Sequence, residues 1–264
     1  MAQLAAHLSP DTGFHFLPDG VGASALASIG TGVGAIPIVF TGDLSDRWRN
    51  RFLSVGSGVM LASAAFSLIW PALDWVGHSP DPLLGLGEVA IAFVLGGLFL
   101  YGLESWMSVD ETPGPDGTAQ GNDRHLWVFV LAIALHHFPE GLAVGLGMAA
   151  NHDLSLAIGV GLQNVPEGLM VALACRELGY GLGISLMMAT LSGWLEPLGG
   201  AMGGVLANSS ISVVPMGMAL AAGAMLFVIW QEVLPTLQLK SFTGENSIGL
   251  VMGMLVMGLV EHVI

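Results

Sequence analysis

Apolar residues along this chain neither alternate nor mark one face of a helix; they fill whole segments, and most polar residues gather between them. Such runs cover about 20–41, 52–73, 85–103, 126–149, 154–175, 180–206, 213–234 and 247–264. A helix needs about 20 residues to cross a hydrocarbon core roughly 30 Å thick. The pattern therefore predicts an all-α integral membrane protein, a bundle of eight transmembrane helices in one domain over residues 1–264, the third run being short and the sixth long. Between the third and fourth runs, VDETPGPDGTAQGNDR has no apolar period and is rich in Pro, Gly and Asp, so residues 110–124 read as a flexible loop. Residues 1–19 lack the basic start and apolar middle of a signal peptide and read as a tail.

The polar residues inside the runs carry the chemistry. ALHHFPEGLAVG at 134–145 places His136, His137 and Glu140 in the fourth run, and QNVPEGLMVALA in the fifth repeats it with Gln163, Asn164 and Glu167 at an offset of 27 residues. Consecutive spans run in opposite directions, so the shared signature predicts an inverted repeat with a site near the midplane. At about 100° per residue, each glutamate falls angularly between the two residues that open its signature. Two facing helices would each present a central carboxylate flanked by two nitrogen or amide ligands. That arrangement suits two adjacent metal sites, His136 with Gln163 and His137 with Asn164, sharing Glu140 and Glu167.

Pro139 and Pro166 predict kinks in the fourth and fifth helices, because a proline within a helix removes one hydrogen bond and crowds the carbonyl four residues back, here Leu135 and Leu162. SGWLEPLGG adds Glu196 to the sixth run. Each carboxylate at membrane depth costs about 2.5–3.5 kcal/mol on an insertion scale, and no Lys or Arg stands near to offset it. Cations must compensate. Histidine with carboxylate and amide donors suits zinc, cadmium, iron or manganese, held as cargo rather than as a cofactor. Met60 offers a soft ligand; Ser67 and Asp74 follow it at seven-residue intervals as a polar track, and Gln231 and Glu232 stand at the inner end of the seventh run.

Composition agrees with the membrane reading: 53% of residues are hydrophobic, 10% charged, and mean hydropathy is +0.74. All six basic residues, Arg47, Arg49, Arg51, Arg124, Arg176 and Lys240, fall in alternate connections. The positive-inside rule then places the 110–124 loop in the cytoplasm and both termini outside. Asp11, Asp19, Asp74, Asp81, Glu88, Asp153 and Glu261 lie outside with no basic residue among them, a surface that concentrates cations. The net charge of −14 argues against a nucleic-acid partner, and the single cysteine, Cys175, excludes an intrachain disulfide and a CxxC metal site. Many of the 38 glycines recur at four-residue spacing, as helices in close contact require.

HHFPEG and QNVPEG on consecutive spans, EP on the next, and eight spans with a variable loop after the third resemble the ZIP (Zrt-, Irt-like) divalent metal transporters of bacterial type. The resemblance covers essentially the whole chain. It implies import of zinc, with cadmium, iron or manganese as further substrates, through a binuclear site at mid-membrane. It further implies one metal site from Met60, His136, Glu140, Gln163, Glu167 and Glu196, and a second from His137, Asn164 and the same glutamates. A rocking or elevator-like shift of spans 1, 4, 5 and 6, a place in the bacterial inner membrane, and room for a homodimer come with it. The chain departs from the family at His137, where many members carry asparagine, and at Gln163, where many carry histidine. Its loop also lacks the histidine tract that many carry. An intramembrane metal-dependent hydrolase is the alternative, and the absence of HExxH counts against it.

Overall fold

The computed structural model describes residues 16–41, 46–107, 120–151, 154–209, 213–233 and 244–263, and all regular structure among them is helical. The chain forms α1 (Phe16–Ala35), α2 (Pro37–Thr41), α3 (Asp46–Ala62), a π-helical segment (Ser63–Ile69), α4 (Trp70–Gly77) and α5 (Pro82–Met107). It continues with α6 (Gln120–Asn151), α7 (Ser155–Glu177), α8 (Leu182–Ser192), α9 (Leu195–Ser209), α10 (Val213–Val228), a second π segment (Ile229–Val233) and α11 (Gly244–Val263). Of the tail, residues 1–15 lie outside the described residues, as do 110–119 of the loop, whereas Gln120–Arg124 already belong to α6.

Among the described residues, Asp19–Phe40, Asn50–Gly77, Pro82–Leu103, Ser155–Arg176 and Val213–Gln231 are long and apolar enough to cross a membrane. Their outward faces are as apolar as their cores. On α5, Val89, Ala92 and Leu100 are buried, while Ile91, Val94, Leu95, Leu98 and Phe99 are exposed. A helix greasy on every side finds a favourable environment for its outer face only in lipid. The interior, conversely, holds Thr31, His136, His137, Glu140, Gln163, Asn164 and Glu196, all buried.

Two helical irregularities fall where the hydropathy pattern is smooth. The π segment Ser63–Ile69 interrupts the second span, and the wider winding of an i→i+5 ladder takes Asp74 off the line that a pure α-helix would draw from Met60 through Ser67. Met60 and Ser67 are buried and Asp74 is exposed. The sixth run, read as one long span, breaks at Gly193–Trp194 into α8 and α9. Pro197 explains the break: its ring crowds the carbonyl four residues back, that of Gly193. Glycine is required there for a second reason, since a Cβ at 193 would stand 2.8 Å from Thr31 Oγ1 and 3.2 Å from the Ser28 carbonyl oxygen. Pro139 and Pro166 lie inside α6 and α7, which run on past them.

Packing divides the helices into two groups. In one, α6 lies against α9 and α1 against α7, with α1 also packed on α9 and α8 beside α1 and α7. In the other, α5 pairs with α10 and α3 with α11. The groups meet where α10 touches α6 and α3 touches α7.

Candidate metal centre

The echoed signatures on α6 and α7 come together, and α1 and α9 close the cluster. His137 is fully buried, and its Nδ1 lies 2.8 Å from the Ile133 carbonyl oxygen one turn back on α6. A carbonyl only accepts, so Nδ1 carries the proton and the neutral ring presents its lone pair at Nε2. That nitrogen lies 3.2 Å from Thr31 Oγ1 on α1 and 3.7 Å from Glu167 Oε2 on α7. Gln163 donates from Nε2 to Glu140 Oε1 at 2.8 Å. Asn164 donates from Nδ2 to Glu196 Oε2 at 2.8 Å and to the Ala27 carbonyl oxygen at 3.2 Å. Four helices from distant parts of the chain are thus tied by polar contacts among residues that are buried or nearly so.

His137, Glu140 and Glu167 each bring one ligand atom within 4.8 Å of the other two. With zinc–ligand bonds of about 2 Å, modest side-chain shifts would close this triangle on a single ion. The hydrogen-bond balance points the same way. Glu140 Oε2, Gln163 Oε1, Asn164 Oδ1 and Glu196 Oε1 are buried, and no donor reaches any of them among the described residues. Buried acceptors are ordinarily satisfied, and leaving one bare costs about 1–3 kcal/mol. All four are oxygens with lone pairs to give, and each amide already donates an N–H to a carboxylate, which leaves its oxygen as the end turned to other use. A cation is the partner that such a set accepts.

The other predicted residues take varied places. His136 is buried beside His137 in sequence, at 4% exposure. Met60 is buried in an apolar cluster with Leu100, Ala224, Val228 and Ile229. Ser67 lies in the first π segment with its hydroxyl unpartnered among the described residues, as does Ser63. Asp74 stands at the exposed end of that span, where His78 Nδ1 donates to its carbonyl oxygen at 2.8 Å. Gln231 is exposed, on the second π segment, which also carries Glu232. Sequence reasoning missed Thr31 and the Ala27 carbonyl. The available signal was faint: one threonine in the middle of the first apolar run, among glycines that read as packing residues.

Apolar helices around a buried cluster of imidazole, carboxylate and amide donors define a membrane protein that handles cations. Comparison with known proteins narrows this. Residues 114–261 match the family described as ZIP zinc transporter. The chain is 38% identical to the zinc transporter GufA of Myxococcus xanthus over 239 residues, covering 89% of this chain and 94% of that protein. It is 36% identical to the zinc transporter ZIPB of Bordetella bronchiseptica, covering 89% and 77%. With the zinc transporter ZupT of Salmonella arizonae it shares 32% identity, covering 89% and 92%. The chain belongs to the ZIP family of zinc transporters. Family and relatives are transporters rather than enzymes, so the hydrolase alternative is not favoured.

Proposed function

We propose that the protein imports zinc into the cytoplasm by alternating access around a binuclear site between α1, α6, α7 and α9. The observation that carries this reading is the set of bare, buried oxygens on Glu140, Gln163, Asn164 and Glu196, together with the His137–Glu140–Glu167 triangle. In this reading one ion takes His136, Glu140, Gln163 and Glu167, with Met60 and Glu196 completing its shell. A second takes His137, Asn164 and the shared glutamates. Cadmium, iron and manganese fit the same donors, since carboxylate, imidazole and amide oxygens discriminate weakly among them.

The route follows from polarity. Asp74 and Ser67 lead inward from the acidic outer face, and Gln231 and Glu232 receive the ion on the inner side. Eight spans with both termini outside remain the topology we assign. Arg51 over the Trp48 ring, 5.0 Å from its centroid, and exposed Arg176, which donates to the Tyr180 carbonyl oxygen at 2.9 Å, suit the cytoplasmic ends of α3 and α7. The grouping of α1 and α6–α9 apart from α3, α5, α10 and α11 supports movement of one group against the other. A homodimer in the bacterial inner membrane is compatible with this arrangement.

Zinc uptake into proteoliposomes tests the reading. The intact protein should accumulate zinc, and Glu140→Ala and Glu167→Ala should reduce flux by about 100-fold or more, given that even outer-shell partners of metal ligands are worth about 10–100-fold. A folded, intact protein that moves no zinc, cadmium, iron or manganese under any gradient would overturn it. Anomalous scattering from zinc-loaded crystals should give two peaks between α6 and α7; a single peak at saturation would remove the second ion.

A further inference from the structure

Many hydroxyl groups on the helices of this protein share a habit, from which Thr31 departs toward the metal cluster. Ser24 donates to the Gly20 carbonyl, Ser54 to Asn50, Ser57 to Leu53 and Thr190 to Leu186, each one turn back on its own helix. Thr31 instead reaches across to His137 Nε2 at 3.2 Å. Its own turn-back acceptor is the carbonyl of Ala27, whose oxygen receives Asn164 Nδ2 from α7 at 3.2 Å. Thr31 is fully buried, and its hydroxyl hydrogen meets the one atom of His137 able to bind a metal. A metal and an O–H donor compete for that lone pair.

We propose that Thr31 is a positioning residue for the metal site at His137. In the empty protein its hydroxyl caps the Nε2 lone pair; when an ion takes that lone pair, the hydroxyl turns back to the Ser28 carbonyl. That acceptor, three residues back, is of the kind Ser28 and Ser192 use on their own helices, and its ladder bond takes only one of its two lone pairs, whereas the Ala27 oxygen holds both the ladder N–H of Thr31 and Asn164. The rotation is also inexpensive, since helical threonine divides between two χ1 wells, one of which bonds the carbonyl one turn back. Thr31 thereby lowers affinity at the second site and favours release, while Ile133 holds the ring in the metal-binding tautomer. This inference rests on the binuclear reading above and adds to it a residue from α1.

The test uses the full-length protein with Thr31→Val, which keeps the shape and loses the donor, and Thr31→Ser, which keeps the donor. In metal-free protein labelled with nitrogen-15 at histidine, and assigned against His137→Asn, the Nε2 resonance should move toward an unbonded imine nitrogen in Thr31→Val and stay in place in Thr31→Ser. Zinc titration of the His137-dependent site should be about fivefold tighter in Thr31→Val, the factor one ordinary hydrogen bond carries, and near wild type in Thr31→Ser. Uptake in Thr31→Val should show a lower KM together with a lower kcat. An unmoved resonance, or zinc binding unchanged or weaker in Thr31→Val, overturns the cap. If His137→Asn leaves zinc stoichiometry at its wild-type value, the two-ion reading falls and takes the release role of Thr31 with it; the nitrogen resonance still decides the cap in the empty protein.

Discussion

Both helix groups are packed through glycine, the tightest contacts inside each group being with backbone carbonyls, beside others, such as Gly200 with Ser24 and Gly249 with Ser54, that meet side chains. Within the donor-bearing group, a Cβ at Gly34 would run into the Val165 carbonyl, one at Gly168 into that of Thr31, and one at Gly141 into that of Glu196. The apolar group repeats this, with Gly223 against the Phe93 carbonyl and Gly253 against that of Val55. Across the boundary the neighbours are side chains: Gly56 faces Pro166 Cγ at 2.5 Å, Gly217 faces Leu146 Cδ1 at 2.5 Å, and Gly159 faces Met257. Backbone locked against backbone has one register, whereas a leucine or methionine can adopt another rotamer, which the Pro166 ring cannot. The carbonyl seams inside each group therefore tolerate no added atom, and the boundary at Leu146 and Met257 tolerates more.

The largest effect should come from the seams themselves. Gly168→Leu and Gly34→Leu should give no folded protein, assayed by size-exclusion chromatography in detergent. Next, Glu196→Ala should lower zinc uptake by about 100-fold, comparable to losing a metal's supporting shell, with the protein still folded; retained uptake would detach Glu196 from the site. A matched pair then weighs the two kinds of contact. Gly168→Ala should cost about 1–3 kcal/mol by thermal unfolding, as overpacking does, and Gly217→Ala under about 1 kcal/mol because Leu146 can move. Equal costs would erase the distinction between seam and boundary. The smallest effect belongs to Asp74, exposed and outside both groups' cores. Asp74→Asn should reduce uptake a few-fold at low salt, and the difference should shrink as ionic strength rises to about 0.15 M, where the screening length is about 8 Å.

The helical membrane architecture and most of the metal cluster could be read from the chain, because each rests on a local pattern. Long apolar runs announce themselves, and a repeated HHxPE/QNxPE signature needs no knowledge of what lies next to it. Six of the eight predicted ligands make close contacts with one another: His137, Glu140 and Glu167 as a triangle, Gln163 with Glu140, and Asn164 with Glu196. Thr31 escaped because its significance lies in a contact with a residue 106 positions away. A π segment at Ser63–Ile69 is likewise invisible to hydropathy, since it alters how the ladder winds and not which residues are apolar. The break at Gly193–Trp194 sits between these cases. Its cause, Pro197 acting four residues back on a glycine, is local, yet Pro139 and Pro166 exert the same crowding on leucines and α6 and α7 run through.

That break has a consequence for the site between cargoes. Because α9 begins at Leu195, Glu196 occupies its first turn, where unpaired backbone N–H groups give a helix start roughly half a unit of positive charge. Glu140 and Glu167 lie well inside α6 and α7, far from the starts of their own helices. When the last ion leaves, Glu196 keeps a built-in counter-charge that cannot diffuse away. The start of α9 is in effect a permanent fraction of a cation, soldered into the backbone.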